Sequence, residues 1–321
     1  MQVKAPDRAT AEPPPPTRRT ARRPRPAVVP RRHSRRLQGL GYAAPTALFV
    51  TVFFLLPLLL VGQMSLHDWP LLAGDQGANA PENYTDVMDS PLFWPAVRFT
   101  LLYTAVVTVV LLGLALLLAL LVQESRPCAG FFRTVYFLPG AVGLASASLL
   151  FWGLYSPTTG PLSGILEHLG LVDDPVSFLG TPTSALLSTV FLVVWKFAGF
   201  YMLILLVGLQ RIPHEVYEAA RMDGAQRGQI FRSITLPLLR PSLALSLLLC
   251  VTGSLLAFDQ FFVLTKGGPD NSTVTVVQLI YREAFQRLNL GAAAALSILV
   301  LGALLLLNAL QFRGLRRSDE S

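Results

Sequence analysis

Apolar positions along this chain neither alternate nor fall into narrow stripes; they run on for long stretches broken by polar segments. A helix rises 1.5 Å per residue, so crossing about 30 Å of hydrocarbon takes about 20 apolar residues. Six windows meet that length: Tyr42 to Val61, Thr100 to Val122, Val135 to Leu154, Ser184 to Leu209, Ser242 to Phe258 and Gly291 to Leu310. Lys196 is the one charge inside them. Barrel strands alternate over about 10 residues, and these windows are too long and too uniformly apolar for that. The pattern predicts an all-α membrane protein with six transmembrane helices.

Composition removes the soluble alternatives. The chain is 52% hydrophobic and 14% charged, against about 25% charged for a soluble domain, so it lacks the polar side chains to cover a water-facing surface. Cys128 and Cys250 lie in separate segments and form neither a disulfide framework nor a zinc cluster.

Charge sets the expected orientation. Of the 26 Lys and Arg residues, 21 fall in segments that are cytoplasmic if the N-terminus is inside, and four (Arg98, Lys266, Arg282 and Arg287) fall outside. By the positive-inside rule both termini are cytoplasmic. Residues 1–41 carry 11 of the basic residues interleaved with eight prolines, which reads as a disordered arm that fixes topology and touches anionic lipid, not as a nucleic-acid site. Residues 42–312 form the membrane domain and 313–321 a cytoplasmic tail. Arg35 and Arg36 precede a stretch too long for a signal core, so the first span is expected to be retained.

Enzyme chemistry is missing where it would be needed. All four histidines lie outside the windows and no G-x-S-x-G occurs, which argues against an intramembrane serine protease. His214 and Glu215 begin an H-E-x-x-H pattern, but its last position is Glu218. No G-x-x-x-x-G-K-[ST] phosphate cradle is present, so any ATP must be bound by another subunit. The chain is read as a non-enzyme with no cofactor of its own.

The informative segment joins the fourth and fifth windows. Pro213 suits a first helical turn, Glu215 and Glu218 lie near the positive end of the dipole, and Gly224 supplies a left-handed stop. A helix from Pro213 to Asp223 follows, with Ala219 and Ala220 giving it a slim flank. Ile230, Phe231 and Ile234 repeat at helical spacing and predict a second helix ending at Pro237. On periodicity alone, a short helix lying on the headgroups fits equally well.

The ordered run Glu218-Ala219-Ala220, Asp223-Gly224-Ala225 and Ile234-Thr235-Leu236-Pro237 resembles the signature loop of permease subunits of binding-protein-dependent ABC importers. Phe131-Phe132-Arg133 leading into Tyr136-Phe137-Leu138-Pro139 is similar to the same family. So is Leu264-Thr265-Lys266-Gly267-Gly268-Pro269, which points to its carbohydrate branch. Phe99 before Thr100, and Gly164 after the Gly160-Pro161 turn, depart from the Asn common in the family at those places.

The resemblance implies a second, different permease subunit, two ATP-binding subunits that hold ATP and Mg, and an extracytoplasmic solute-binding protein. All would assemble at the bacterial cytoplasmic membrane. Glu218, Ala219, Ala220, Asp223 and Gly224 would then dock the ATPase on a coupling helix. Importers of other solutes remain an alternative.

Lys196 costs at least about 2.5 kcal/mol at mid-membrane, so it faces either a solute cavity or a structural partner at the subunit interface. Phe258, Asp259 and Phe262, with Trp195, suit a solute path, or alternatively an interfacial belt. The loops Gly62 to Ala96 and Tyr155 to Pro182 contain eight acidic residues and no Lys or Arg. They suit either a docking surface for a binding protein or plain solvation.

Overall fold

A computed structural model describes residues 42–123, 129–170, 172 and 174–319. The basic arm, Arg126, Cys128, Asp173 and the last two residues lie outside the described residues. The chain divides into two compact units, residues 1–55 and 56–321. In the first, residues 42–55 form the opening part of helix α1 (Tyr42–Met64), with every side chain exposed. Its Phe49 and Phe53 rings lie 4.8 Å apart.

The second unit is helical, with only isolated bridges and no strand among the described residues. After the close of α1 come a short α2 (Glu82–Asp89), α3 (Phe93–Val122) and the pair α4 (Gly130–Ala141) and α5 (Leu144–Leu154). These are followed by α6 (Pro161–His168), α7 (Pro182–Gln210), α8 (His214–Met222) and α9 (Arg227–Leu255). The last elements are α10 (Val276–Tyr281) and α11 (Leu290–Asp319). Among the described residues, five helices are long and apolar enough to cross a membrane, or six if α4 and α5 count as one span.

The core is the seam between α3 and α7. Tyr103, Val107, Leu111, Ala115 and Ala119 of α3 recur every fourth residue and are each at most 2% exposed. They meet Leu192, Met202, Leu205 and Leu209 of α7. Lipid tails are as apolar as leucine, so close packing, not water exclusion, must hold such helices together. On the other sides of α7 two glycines allow it: a Cβ on Gly199 would lie 2.0 Å from the Tyr136 carbonyl oxygen of α4, and one on Gly208 2.3 Å from Ser242 Oγ of α9.

Three expectations are corrected. The window Val135 to Leu154 is not one straight helix, because α4 and α5 meet at 93°. Pro139 removes a donor, Gly140 and Gly143 weaken the helix, and Val142 and Gly143 are extended. The fifth span does not begin at Ser242; α9 starts at Arg227, and Phe258 lies beyond its end. Pro237 does not stop a separate helix. The turn Phe231–Thr235 is a π-turn running directly into Leu236–Leu255. That wider turn absorbs the missing proline donor.

The bent pair runs from one end of the bundle to the other. At its start, Arg133 Nη2 donates to the Val122 carbonyl at 2.9 Å, beside the end of α3. At its finish, α5 packs against the turn Phe261–Thr265. That far end also gathers the segment after α1, where Pro70 bridges to Asn289 just before α11.

Candidate functional site: an exposed helix and a central cavity

Helix α8 has no buried residue and, unlike the equally unburied but apolar α1, it is charged, with Glu215, Glu218 and Arg221. Pro213 occupies its N-cap, and its carboxyl end closes as a Schellman motif: Ala225 N–H donates to the Ala220 carbonyl at 3.0 Å and Gly224 N–H to that of Arg221 at 3.1 Å. Gly224 has φ +79°, which an L side chain adopts only under strain. The helix therefore ends abruptly. One side chain ties it down: Tyr217 Oη lies 3.3 Å from Thr235 Oγ1, in the π-turn at the foot of α9.

The predicted docking residues sit around this tether. Glu218, Ala219, Asp223 and Gly224 are exposed and Ala220 is half-buried. Glu215, Ala219 and Met222 share one turn-to-turn face with Glu218, and Met222 is 88% exposed. Glu218 lies 3.5 Å from His214, both on the surface. Asp223 is the C-cap, with its N–H donated to the Ala219 carbonyl. Tyr217 was not among the sequence candidates. Its signal was an aromatic ring in an otherwise small and charged helix. Beside α8 a space of about 1280 Å³ opens between the ends of α3 and α9, lined by Leu120, Gln123, Tyr217, Arg221 and Phe231.

Within the bundle a cavity of about 190 Å³ is walled by α3, α5, α7, the end of α9 and the segment after it. Phe258 and Asp259 line it, as do Tyr103, Phe197, Tyr201, Ser254 and Gln260. Gln260 Nε2 donates to Tyr103 Oη at 3.0 Å, while its Oε1 is buried without a hydrogen-bond partner. Asp259 is the one charged side chain in the lining.

Phe262 faces elsewhere, into a separate cavity next to Tyr281. Lys196 lines neither. It is 4% exposed, and its Nζ donates to the carbonyls of Gly140, at 3.3 Å, and of Val142. Its ammonium also lies 5.1 Å from the centre of the Phe197 ring. The charge sits on carbonyls of the same chain that the broken helix leaves free.

At the far end, Thr265-Lys266-Gly267-Gly268-Pro269 folds into a fixed turn. Lys266 and Gly267 have φ of 53° and 87°, and Thr273 Oγ1 donates to the Gly268 carbonyl at 2.7 Å. Thr100 Oγ1 of α3 accepts from Val276 N–H at 3.1 Å, pinning α10 to the bundle. Glu283 pairs with Arg287 at 2.8 Å, and burial, opposed by that pairing, pushes its carboxyl above the usual range. Asp75 is exposed and lies below its usual range, because His67 Nδ1 and the Gly77 N–H both contact its carboxylate.

This helix-and-bundle arrangement agrees with comparison to known proteins. The family model for the binding-protein-dependent transport system inner membrane component matches residues 40–317. The chain belongs to this family. The permease is 36% identical over 265 residues to the trehalose/maltose transport system permease protein MalF of Thermococcus litoralis, covering 81% of this chain and 88% of that one. It is 33% identical over 319 residues to the diacetylchitobiose uptake system permease protein NgcF of Streptomyces coelicolor, covering 92% and 90%. Its fold is similar to a chain of a bacterial ABC transporter involved in the import of the acidic polysaccharide alginate. There the TM-score is 0.79 at 24% identity, over 88% of this chain and 96% of that one.

Proposed function

We propose that this permease is one transmembrane subunit of an ATP-driven importer that moves a carbohydrate across the bacterial cytoplasmic membrane. The observation that carries the reading is α8: an exposed, Schellman-closed helix tied by Tyr217 to the foot of a membrane span. A short capped helix fixed to a span transmits displacement, and one exposing Ala219 and Met222 beside Glu215 and Glu218 has a face for another protein. In this reading α8 is the coupling helix and seats in a cleft of a separate ATPase. That ATPase holds ATP and Mg, and this chain contributes no cofactor site.

The chain would cross the bilayer six times, counting the bent pair once, with both termini and α8 in the cytoplasm. The basic arm of residues 1–41 and the short tail 313–321 would flank a membrane domain of residues 42–312. A second permease subunit of different sequence, two ATP-binding subunits and an extracytoplasmic binding protein complete the assembly. Phe258 and Asp259 would lie on the solute path through the central cavity, and the names of the permease's relatives support a sugar as its cargo.

Affinity purification of the tagged permease from its native membrane tests the assembly. An ATPase and a second permease should co-purify in stoichiometric amounts, and Glu218→Lys should release the ATPase while leaving the two membrane subunits together. Recovery of the chain alone, active in solute movement, would refute the reading.

A further inference from the structure

The cavity beside Phe262 shares no lining residue with the central one, measures about 290 Å³ and lies at the end of the bundle opposite α8. Gln278, 2% exposed, is one of its lining residues, and the buried Oε1 of that side chain has no hydrogen-bond partner. Leaving a buried acceptor unpaired costs about 1–3 kcal/mol, so an acceptor kept bare beside an open space calls for a donor from outside. The walls are aromatic: the Phe262 and Tyr281 rings lie 5.0 Å apart at 69°. The rim holds Lys266 and Arg282.

That rim is set before any ligand arrives. Arg282 Nη1 donates to Asn271 Oδ1 at 2.7 Å and Nη2 to the Lys266 carbonyl at 3.2 Å, so its guanidinium does not have to be ordered on binding. A ligand satisfying all three features needs a hydroxyl or N–H donor for Gln278, an apolar face for the rings, and oxygen acceptors for the rim. An acyl chain has no donor, and an amino-acid zwitterion brings its ammonium against two cations. A sugar ring supplies each feature. Small-molecule pockets span about 300–1,000 Å³, so a cavity of about 290 Å³ at the bottom of that range suits one ring.

We propose that this cavity is a sugar-binding subsite, distinct from the central cavity, that holds one pyranose ring with a hydroxyl donated to Gln278 and a ring face against Tyr281. The inference rests on the carbohydrate-importer reading. It makes the solute meet the permease twice: first at this mouth, then in the bundle.

Gln286 on the rim is exposed and offers a reporter. In cells carrying the whole importer, Gln286→Cys would be labelled with a membrane-impermeant maleimide, with maltose, trehalose, lactose and diacetylchitobiose as probes. Their uptake would be measured in parallel. The transported sugar should slow labelling about fivefold at about four times its Kd. Gln278→Leu or Tyr281→Leu, added separately, should abolish the protection while the solute-free ATPase rate of the assembly stays unchanged. Uptake of a probe without protection would overturn the subsite and leave the importer reading standing. Uptake of none of these sugars, with a non-sugar solute transported instead, would overturn both.

Discussion

Lys196 and Gly140 are 56 residues apart, yet the Lys196 ammonium donates to the Gly140 carbonyl at 3.3 Å. A helix that turns by 93° leaves carbonyls without a partner four residues on, and lipid supplies none. One lysine meets two of them and places a charge where it would otherwise be expensive. Lys196→Met keeps the length of the side chain and removes the donors. Its expected effect is a loss of about 1–3 kcal/mol, the cost of stranding buried acceptors. Thermal unfolding of the purified permease in detergent measures it, and a variant as stable as the parent would show that the carbonyls find other partners.

The crossing of α7 over α4 makes a sharper test. A methyl on Gly199 would sit 2.0 Å from the Tyr136 carbonyl oxygen, so Gly199→Ala must push two backbones apart, at about 1–3 kcal/mol. Gly113 on α3 has nothing within 4 Å, and Gly113→Ala should stabilise by up to about 1 kcal/mol through helix propensity alone. Identical shifts in the two variants, read in the same detergent, would mean that the close approach is absent from the folded protein.

The hydrophobic windows located the spans because a bilayer imposes a length that any sequence must meet. They were blind to the bend, since Val135 to Leu154 is apolar on both sides of it and hydropathy does not record direction. Pro139, Gly140 and Gly143 together were the available signal. The early start of α9 was hidden for a different reason: the helix expected over Ile230 to Ile234 was ended at Pro237, whereas a π-turn carries α9 on through that proline. Helix α8 itself was readable to within a residue at each end, because Pro213 and Gly224 mark local caps that need no tertiary context. Lys196 was readable as unusual but not as to its partner, which lies on another helix.

Gly224 tests whether the sharp ending of α8 matters. Gly224→Val forces a β-branched residue to φ +79°, at about 1–2 kcal/mol, and should open the cap. Gly224→Asn tolerates that conformation, and no neighbour lies within 4 Å of a Cβ there, so it should keep the helix. The expected outcome is membrane insertion of both variants, with solute uptake retained by Asn and largely lost in Val. Equal uptake would show that the shape of this turn is unimportant to coupling.

Acid should loosen one surface loop in a way that a single substitution reveals. The Asp75 carboxylate is held below its usual range by His67 and by the Gly77 N–H, so its contribution to the loop is complete above the unfolded value of about 3.9. It is lost as pH falls through the lower folded value. An acid protease should cut Asp75→Asn faster than the parent near about pH 5, and the difference should vanish toward about pH 2. A gap that persists at the acid end would assign the effect to packing instead of ionisation.

The pair Tyr103 and Gln260 separates stability from solute handling. Their hydrogen bond, at 3.0 Å, is buried and borders the central cavity. Tyr103→Phe leaves the Gln260 amide bare at both ends, at about 1–3 kcal/mol, and Gln260→Leu strands the phenol by a similar amount. The double variant leaves no unpaired polar group between them, so its stability should recover by about 1 kcal/mol or more relative to the sum of the singles. Uptake should not recover with it, because the double variant has removed both polar groups from the cavity wall. A double variant that transports as the parent does would place the solute path away from this pair. One that remains as unstable as the sum would mean the two side chains act independently.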